Sequence, residues 1–349
     1  MTLTQRRHYG LYNQGATCYL NSVLQVLSMT TEIHHRLDPT KQTDLHLRKI
    51  FEDLKKKTCG TKTITAAFRI QNVYKQRDAA EILEMILREI SPEASEGFKG
   101  KLTDTTKCSR GHTIIEESDP FWTLPLSLND TRDSSYSVER GFERIFQPKS
   151  LNGVYCNDCE ETTEATSGHK MVCPQILILL LKRFHFDNNT GRHFKSNRRV
   201  NVPRTLKTKD KRYELYAVVN HSGSLRGGHY TATILSKEDR TWYEFDDAHV
   251  YKVKEQLFAE TRTYKSSTAY LLVYRASAKH DDTNQIPRRT PNTRNSRRRP
   301  DTIIEMENDE SSPQVDNSPT CKMTPIRISL IVIGVLVAIP IIVLPIIFR

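Results

Sequence analysis

Gly10-Leu11-Tyr12-Asn13-Gln14-Gly15-Ala16-Thr17-Cys18-Tyr19-Leu20-Asn21-Ser22 is the stretch around which this chain is organised. A glycine-punctuated loop runs into a segment whose apolar residues, Leu20, Val23, Leu24 and Leu27, recur at helical spacing. That spacing predicts a helix over 18–29, with Cys18 at its start. Unpaired backbone N–H groups and the positive end of the helix dipole meet there, and both favour thiolate over thiol. The thiolate is the nucleophile. Asn13, across Gly15 from the cysteine, is placed to donate its side-chain amide to a developing oxyanion. A lone cysteine at a buried helix start is more often structural than catalytic, so the chemistry needs a partner elsewhere in the chain.

Gly227-Gly228-His229-Tyr230 supplies a candidate. A thiol nucleophile requires a base, and the base requires a group that orients it. The glycine pair lets the backbone before His229 pass close to other elements. The β-prone run Tyr230 to Leu235 follows, and then Trp242-Tyr243-Glu244-Phe245-Asp246-Asp247. A strand, a turn and a return strand would carry Asp246 back beside His229. The separation from His229 favours Asp246 as the orienting acid, and adjacent Asp247 is a secondary candidate that could share the role through hydrogen bonding near the oxyanion site. Cysteine first, histidine next and an acid further on is one of the orders such triads take. His221 is the other histidine nearby. It ends the alternating, β-branched run from Tyr213, so it reads as a strand residue, and the Gly-Gly-His-Tyr context favours His229 as the base.

Several blocks together resemble the ubiquitin-specific proteases, the papain-like deubiquitinases. The cysteine box covers Gly10 to Gln25. A glutamine box reads Gln76-Arg77-Asp78-Ala79-Ala80-Glu81-Ile82-Leu83, a middle strand Pro174 to Phe184, a histidine box Tyr213 to Asp247, and a last strand Ala269 to Arg275. The resemblance covers about residues 8 to 275. It implies an α+β, papain-like catalytic domain of fingers–palm–thumb build. The implied reaction is hydrolysis of the isopeptide or peptide bond after ubiquitin's C-terminal glycine, with ubiquitin and ubiquitinated proteins as partners. It also implies that Asp78 and Glu81 grip the arginine-containing ubiquitin tail, as carboxylates suit guanidinium forks, and that Gln76 belongs to the same tail site. Ser222 to Gly228 corresponds to a loop beside that tail. Arg77, Ala80 and Ile82 depart from the family pattern of glutamine, histidine and phenylalanine. Arg77 puts a positive charge near a site built for basic residues.

Ile82, Leu83, Ile86, Leu87 and Ile90 give residues 76–90 a strong helical stripe, with Asp78 as an acid near its start. Leu45 to Leu54 reads as another helix, ended by Lys55-Lys56-Lys57. Residues 98–128 read as strands, and 188–201 as a polar loop or hairpin. Cys108-Ser109-Arg110-Gly111-His112 and Cys156-Asn157-Asp158-Cys159 are separated by a long insert. Paired knuckles of this kind bind structural zinc in many proteins, and the resembled family often carries such a site. The second knuckle is intact, whereas Arg110 and Gly111 replace a cysteine in the first. Either His112 completes a Cys3His site with Cys108, Cys156 and Cys159, or the site is degenerate and held by packing. No cofactor is required for the hydrolytic chemistry itself.

The 349 residues suffice for one large domain or two ordinary ones, and the formal charge is +11. Basic and acidic residues balance over 276–325, so the excess lies in the folded part. A basic chain can favour nucleic acid, but no nucleic-acid motif accompanies the charge, and a solvated basic surface is the expectation. Seven scattered cysteines and no visible signal peptide argue for a reducing compartment. The expected organisation is a polar lead over 1–8, a catalytic domain over 9–275, a disordered linker over 276–325 and a transmembrane helix over 326–348. The linker is rich in Asn, Ser, Thr, Pro and blocked charge. Ile328 to Phe348 is uncharged, and about 20 apolar residues suffice to span a bilayer. Such a span predicts a tail anchor with the catalytic domain in the cytosol, with the endoplasmic reticulum favoured over the mitochondrial outer membrane. Two other readings stand beside the hydrolase. One is a membrane-tethered ubiquitin-binding scaffold of weak activity; the other is a protease for a ubiquitin-like modifier.

Overall fold

A computed structural model describes residues 8–128, 134–187, 191–224, 227–254, 257–258 and 261–277. All of them lie in the first of two compact units, Met1–Gln285. Residues 1–7, most of the predicted linker and the whole predicted membrane helix lie outside the described residues. Among the described residues, no helix is long and apolar enough to cross a membrane.

Helices dominate the N-terminal part, and strands most of the rest. The cysteine box folds as the helix Cys18–Ser28, with its residues from Cys18 to Leu27 all buried. Further helices are Gln42–Leu54 and Ala79–Glu89. The second of these starts later than the apolar stripe predicts. Asp78 takes an extended conformation and its carboxylate accepts the Ala80 N–H at 2.7 Å. That cap fixes the helix start and leaves Gln76 and Arg77 in the preceding loop. Lys55 follows the Gln42–Leu54 helix and pairs with Glu52 at 2.7 Å on the surface.

A central sheet carries most of the structure. Its strands lie in the order His249–Lys252, Trp242–Asp246, Gly228–Leu235, Arg212–Gly223, Ala269–Ala276, Ile176–Lys182 and Thr123–Ser127, with Thr205–Lys207 beside Arg212–Gly223. Side chains alternate across it with period two. Val219, Leu271 and Val273 face the cluster that holds Leu20, Leu24, Leu83 and Ile86 from the helices. Val218, Leu272 and Tyr274 face a second cluster, where Phe142 of the helix Val138–Ile145 packs. Both faces are therefore buried, which explains the near-continuous apolar run Ile176 to Leu181.

The predicted strand through 174–186 breaks at Arg183, which is fully buried without a carboxylate partner among the described residues. Its guanidinium donates to the carbonyls of Ala269, Ser196 and Arg198 at 2.6, 3.0 and 3.0 Å. Those bonds pin the start of the hairpin Phe184–Asp187 with Arg192–Lys195. Phe98, read from sequence as a strand residue, instead closes the short turn Glu96–Phe98, where it is buried.

A separate four-stranded sheet has the order Thr113–Phe121, Gly100–Cys108, Glu161–Val172 and Lys149–Cys156. It differs in kind from the central one. Thr113–Phe121 has no buried residue, and Lys149–Cys156 buries only its last. The ladder, rather than an apolar core, organises this region. Its buried side chains gather where Cys108 pairs in register with Ala165, close to Cys156.

Candidate active site and cysteine cluster

Four elements converge on Cys18. Cys18 opens its helix, and the backbone N–H groups of Tyr230 and Tyr19 favour its charged form. The nucleophile helix thus abuts the strand Gly228–Leu235 beside His229. Gln76 brings a third group. Its amide donates to Gly228 O at 2.8 Å and accepts Gly228 N–H at 3.2 Å, and the same Nε2 stands 3.9 Å from Cys18 Sγ.

His229 and Asp246 are joined. Strand Trp242–Asp246 returns antiparallel to Gly228–Leu235, as strand, turn and return strand require. His229 Nε2 and Asp246 Oδ1 lie 2.6 Å apart. Both side chains are about two-fifths exposed, 43% and 42%, so substrate and water can reach them. Because Nε2 is held by the acid, Nδ1 is the nitrogen left for the thiol. No hydrogen bond joins Cys18 to His229 among the described residues. Such contacts often tighten only when substrate arrives.

The two adjacent carboxylates divide the work that the sequence left open between them. Asp247 takes a positive φ of 48°, tolerated by Asp at a tight turn, and its side chain departs from the strand's alternation. Oδ2 accepts Asn13 Nδ2 at 2.9 Å, and Oδ1 accepts Asn21 Nδ2 at 2.8 Å. Leu11 N–H donates to Asp247 O at 2.8 Å, and a Cβ on Gly10 would overlap that carbonyl, so only glycine fits there. Asn13 is fixed from its other end as well. Its Oδ1 accepts the N–H groups of Gly15 and Thr17 at 2.9 and 3.0 Å. An amide nitrogen carries two hydrogens. One serves Asp247, and the second, without a partner among the described residues, is left for an oxyanion.

Electrostatics revise one expectation. Burial pushes the Cys18 thiol up, and the nearby Asp247 charge adds to the rise. The N–H groups of Tyr230 and Tyr19 pull the other way without cancelling it. Desolvation of the charged form thus opposes the thiolate-favouring effect of the helix start. His221 separates clearly from His229. It is 2% exposed, and burial with the Lys195 and Arg183 charges pushes it down to about 4. It lies against Gly228, where a Cβ would overlap its Nε2. It supports the loop beneath the base and stays neutral.

The residues matched to a tail site flank the same cleft. Asp78 uses Oδ1 for its helix cap and Oδ2 for the Tyr270 hydroxyl at 2.5 Å. Glu81 is exposed in the first turn of that helix. Lys195 was not singled out from sequence, yet its ammonium donates to His221 O and Gly223 O at 2.9 and 3.0 Å. It ties the Arg192–Lys195 strand to the loop that precedes His229. Tyr270 and Asn21 were also passed over. Asn21 had a readable signal, since a residue three on from Cys18 shares its helix face.

The second constellation lies at the end of the outer sheet. Cys108 Sγ and Cys159 Sγ are 3.8 Å apart, His112 Nδ1 and Cys159 Sγ 3.2 Å, and Cys156 Sγ and His112 Nδ1 3.9 Å. One donor atom from each of the four residues lies within 4.8 Å of the others. A tetrahedral zinc with sulfur at about 2.3 Å sets its ligands roughly 3.8 Å apart. Gly111, at φ +91°, makes the turn that returns His112 onto Cys108, with His112 N–H donating to Cys108 Sγ at 3.3 Å. The cluster fits a metal ion, and the histidine stands where the first knuckle lacks its second cysteine.

A cysteine on a helix start, a histidine–aspartate pair on an adjoining sheet and an amide beside the thiol define a papain-like thiol-hydrolase cleft. The chain's residues 9–274 match the family described as ubiquitin carboxyl-terminal hydrolase. This chain belongs to that family. Ubiquitin carboxyl-terminal hydrolase 7 of Drosophila melanogaster is 30% identical over 311 residues, which cover 76% of this chain and 27% of the fly protein. Ubiquitin carboxyl-terminal hydrolase 47 of Homo sapiens is 25% identical over 429 residues, covering 90% of this chain and 31% of the human one. The chain thus spans about a third or less of these relatives. Among solved structures, a SAGA Ubp8/Sgf11/Sus1/Sgf73 DUB module bound to ubiquitin aldehyde aligns with TM-score 0.64 and 22% identity. That alignment covers 80% of this chain and 72% of the other. It identifies the fold as that of a ubiquitin-specific protease catalytic domain.

Proposed function

We propose that this protein is a thiol-dependent deubiquitinase, cleaving the isopeptide or peptide bond after ubiquitin's C-terminal glycine. The His229–Asp246 pair beside a buried Cys18, with Asn13 held by Asp247, carries the reading. His229 Nδ1 takes the proton from the Cys18 thiol as substrate arrives, and Sγ attacks the scissile carbonyl. The free N–H of Asn13 donates to the oxyanion; one such donor is typically worth roughly 3 kcal/mol. His229 returns the proton to the lysine amine, the C–N bond breaks and a thioester remains. Water then attacks, giving its proton to His229, and releases the ubiquitin carboxylate and the thiol. Asp246 keeps the imidazole in the working tautomer, while Asp247 positions Asn13 and Asn21 and touches no reacting atom. Gln76, Asp78 and Glu81 form the tail site; exposed Glu81 is the freer acid for an arginine.

Zinc is the metal the cysteine cluster suits, through Cys108, His112, Cys156 and Cys159, in a structural role with no open coordination position. The apolar stretch 326–348 supports tethering to a membrane, with the catalytic domain in the cytosol and the endoplasmic reticulum as its membrane. Alkaline extraction of cell membranes tests this: the full chain should stay in the pellet, and release into the supernatant contradicts it.

Hydrolysis of ubiquitin carrying a small fluorogenic amine tests the activity. The full chain should cleave it, and Cys18→Ala should not. Failure by the folded chain overturns the hydrolase. Cleavage of a ubiquitin-like modifier in its place would identify a changed substrate, and binding without cleavage would identify a scaffold.

A further inference from the structure

We infer that an exposed groove beside Asn13, rimmed by Tyr12 and Tyr74, receives the polypeptide that carries the modified lysine. The inference rests on the hydrolase reading above and names the second partner of that site. The groove has a volume of about 550 Å³ and includes Asn13, Gln14, Lys62 and Val73 between the two tyrosines. Tyr74 is 80% exposed, the most exposed large apolar side chain among the described residues, and Tyr12 is 56% exposed. Two such rings, largely in water beside a catalytic cleft, gain little from folding.

They are held rigidly all the same. Ala16 N–H donates to Val73 O at 2.8 Å, and Tyr12 N–H donates to Cys59 O at 2.9 Å. Asn72 Oδ1 accepts Tyr74 N–H at 3.0 Å. The Tyr74 ring lies on Gly15, where a Cβ would stand 2.6 Å from Cδ1. Gly15 has φ +147°, so this glycine gives the oxyanion loop both its bend and its contact with the ring.

Position identifies the occupant. The acyl tail and the leaving amine depart from the scissile carbon in opposite directions. Gln76, Asp78, Tyr270 and the loop at Gly223 and Gly228 make up the tail flank, and none of them lines the groove. Asn13 alone belongs to both the groove and the Asp247 network. The groove thus begins at the oxyanion donor and shares no residue with the tail flank, which leaves the amine side of the scissile bond for its occupant. Tyrosine rings offer large, rigid, amphipathic contact at low entropic cost, and the exposed Lys62 ammonium favours a carboxylate. The fitting partner is an extended segment with an apolar and an acidic side chain near its modified lysine.

The full chain and its Tyr12→Ala/Tyr74→Ala double variant would be compared on two substrates. One is ubiquitin on a small fluorogenic amine; the other is ubiquitin on the lysine of a peptide of about a dozen residues bearing aspartate and leucine neighbours. The proposal expects kcat/KM on the peptide substrate to fall about tenfold, and on the small amine by less than about twofold. Equal losses on both would make the tyrosines supports of the oxyanion loop and overturn it. No loss on the peptide would overturn it as well. If the unmutated chain cleaves neither substrate, the hydrolase reading falls first and the groove falls with it.

Discussion

The central sheet and the outer four-stranded sheet reach stability by different means. In the central sheet both faces are buried, with Leu271 and Val273 on one side and Leu272 and Tyr274 on the other. In the outer sheet the strand Thr113–Phe121 buries nothing, and the buried residues collect around Cys108 and Cys156. A sheet with wet faces and no core needs a staple. The four donors at its end, within 4.8 Å of one another, could hold a metal ion as that staple. The catalytic cleft depends on the central sheet, because His229 and Asp246 sit on its neighbouring strands. Each region should therefore fail independently of the other.

Removal of the metal is expected to have the largest effect. Structural zinc contributes on the order of 10 kcal/mol in small zinc-folded peptides. A strong chelator, or Cys156→Ser, should therefore release one zinc per chain. Hydrogen exchange should rise across Gly100–Cys108 and Glu161–Val172 while the central strands stay protected. Uniform loss of protection would break the comparison. Next comes Leu272→Ala, which opens a cavity in the second core and should cost about 2–5 kcal/mol in denaturant unfolding. A smaller value would show that the central core is looser than its burial implies.

Gly228→Ala acts more narrowly. A Cβ there overlaps His221 Nε2 and Ser222 O, so the strand carrying His229 must shift. Overpacking of this kind costs about 1–3 kcal/mol, and kcat should drop although the outer sheet keeps its zinc. The smallest effect belongs to Ile115→Ala. Ile115 is 46% exposed on the outer sheet, and the change should stay within about 0.5 kcal/mol. A larger loss would reveal a partner surface or core that the outer sheet does not show.

Much of this was legible in the sequence. Apolar spacing predicts the Cys18–Ser28 helix nearly to the residue, and the β-prone runs predict the strands around His229 and Asp246. What stayed hidden depends on single side chains acting at a distance. The helix after Gln76 starts at Ala79 because Asp78 caps it, and a stripe of apolar residues carries no such stop. Arg183 breaks a run that reads as one strand, through bonds to carbonyls that only the fold brings near. Spacing from His229 favours Asp246 over Asp247 as the orienting acid but does not by itself exclude a swap. They part because residue 247 takes a left-handed backbone and turns its carboxylate to Asn13 and Asn21. The upward push on the Cys18 thiol likewise follows from burial, which a helix start does not reveal.

The most direct test of the central claim is covalent capture. Ubiquitin bearing a C-terminal electrophile would be incubated with the full chain, and the product would be read by intact mass. The account predicts a single adduct mapped to Cys18, lost in Cys18→Ala and slowed in Asp246→Asn by about a hundredfold or more, as for an acid that sets its histidine's tautomer. No adduct with folded protein, or an adduct on another cysteine, would contradict it.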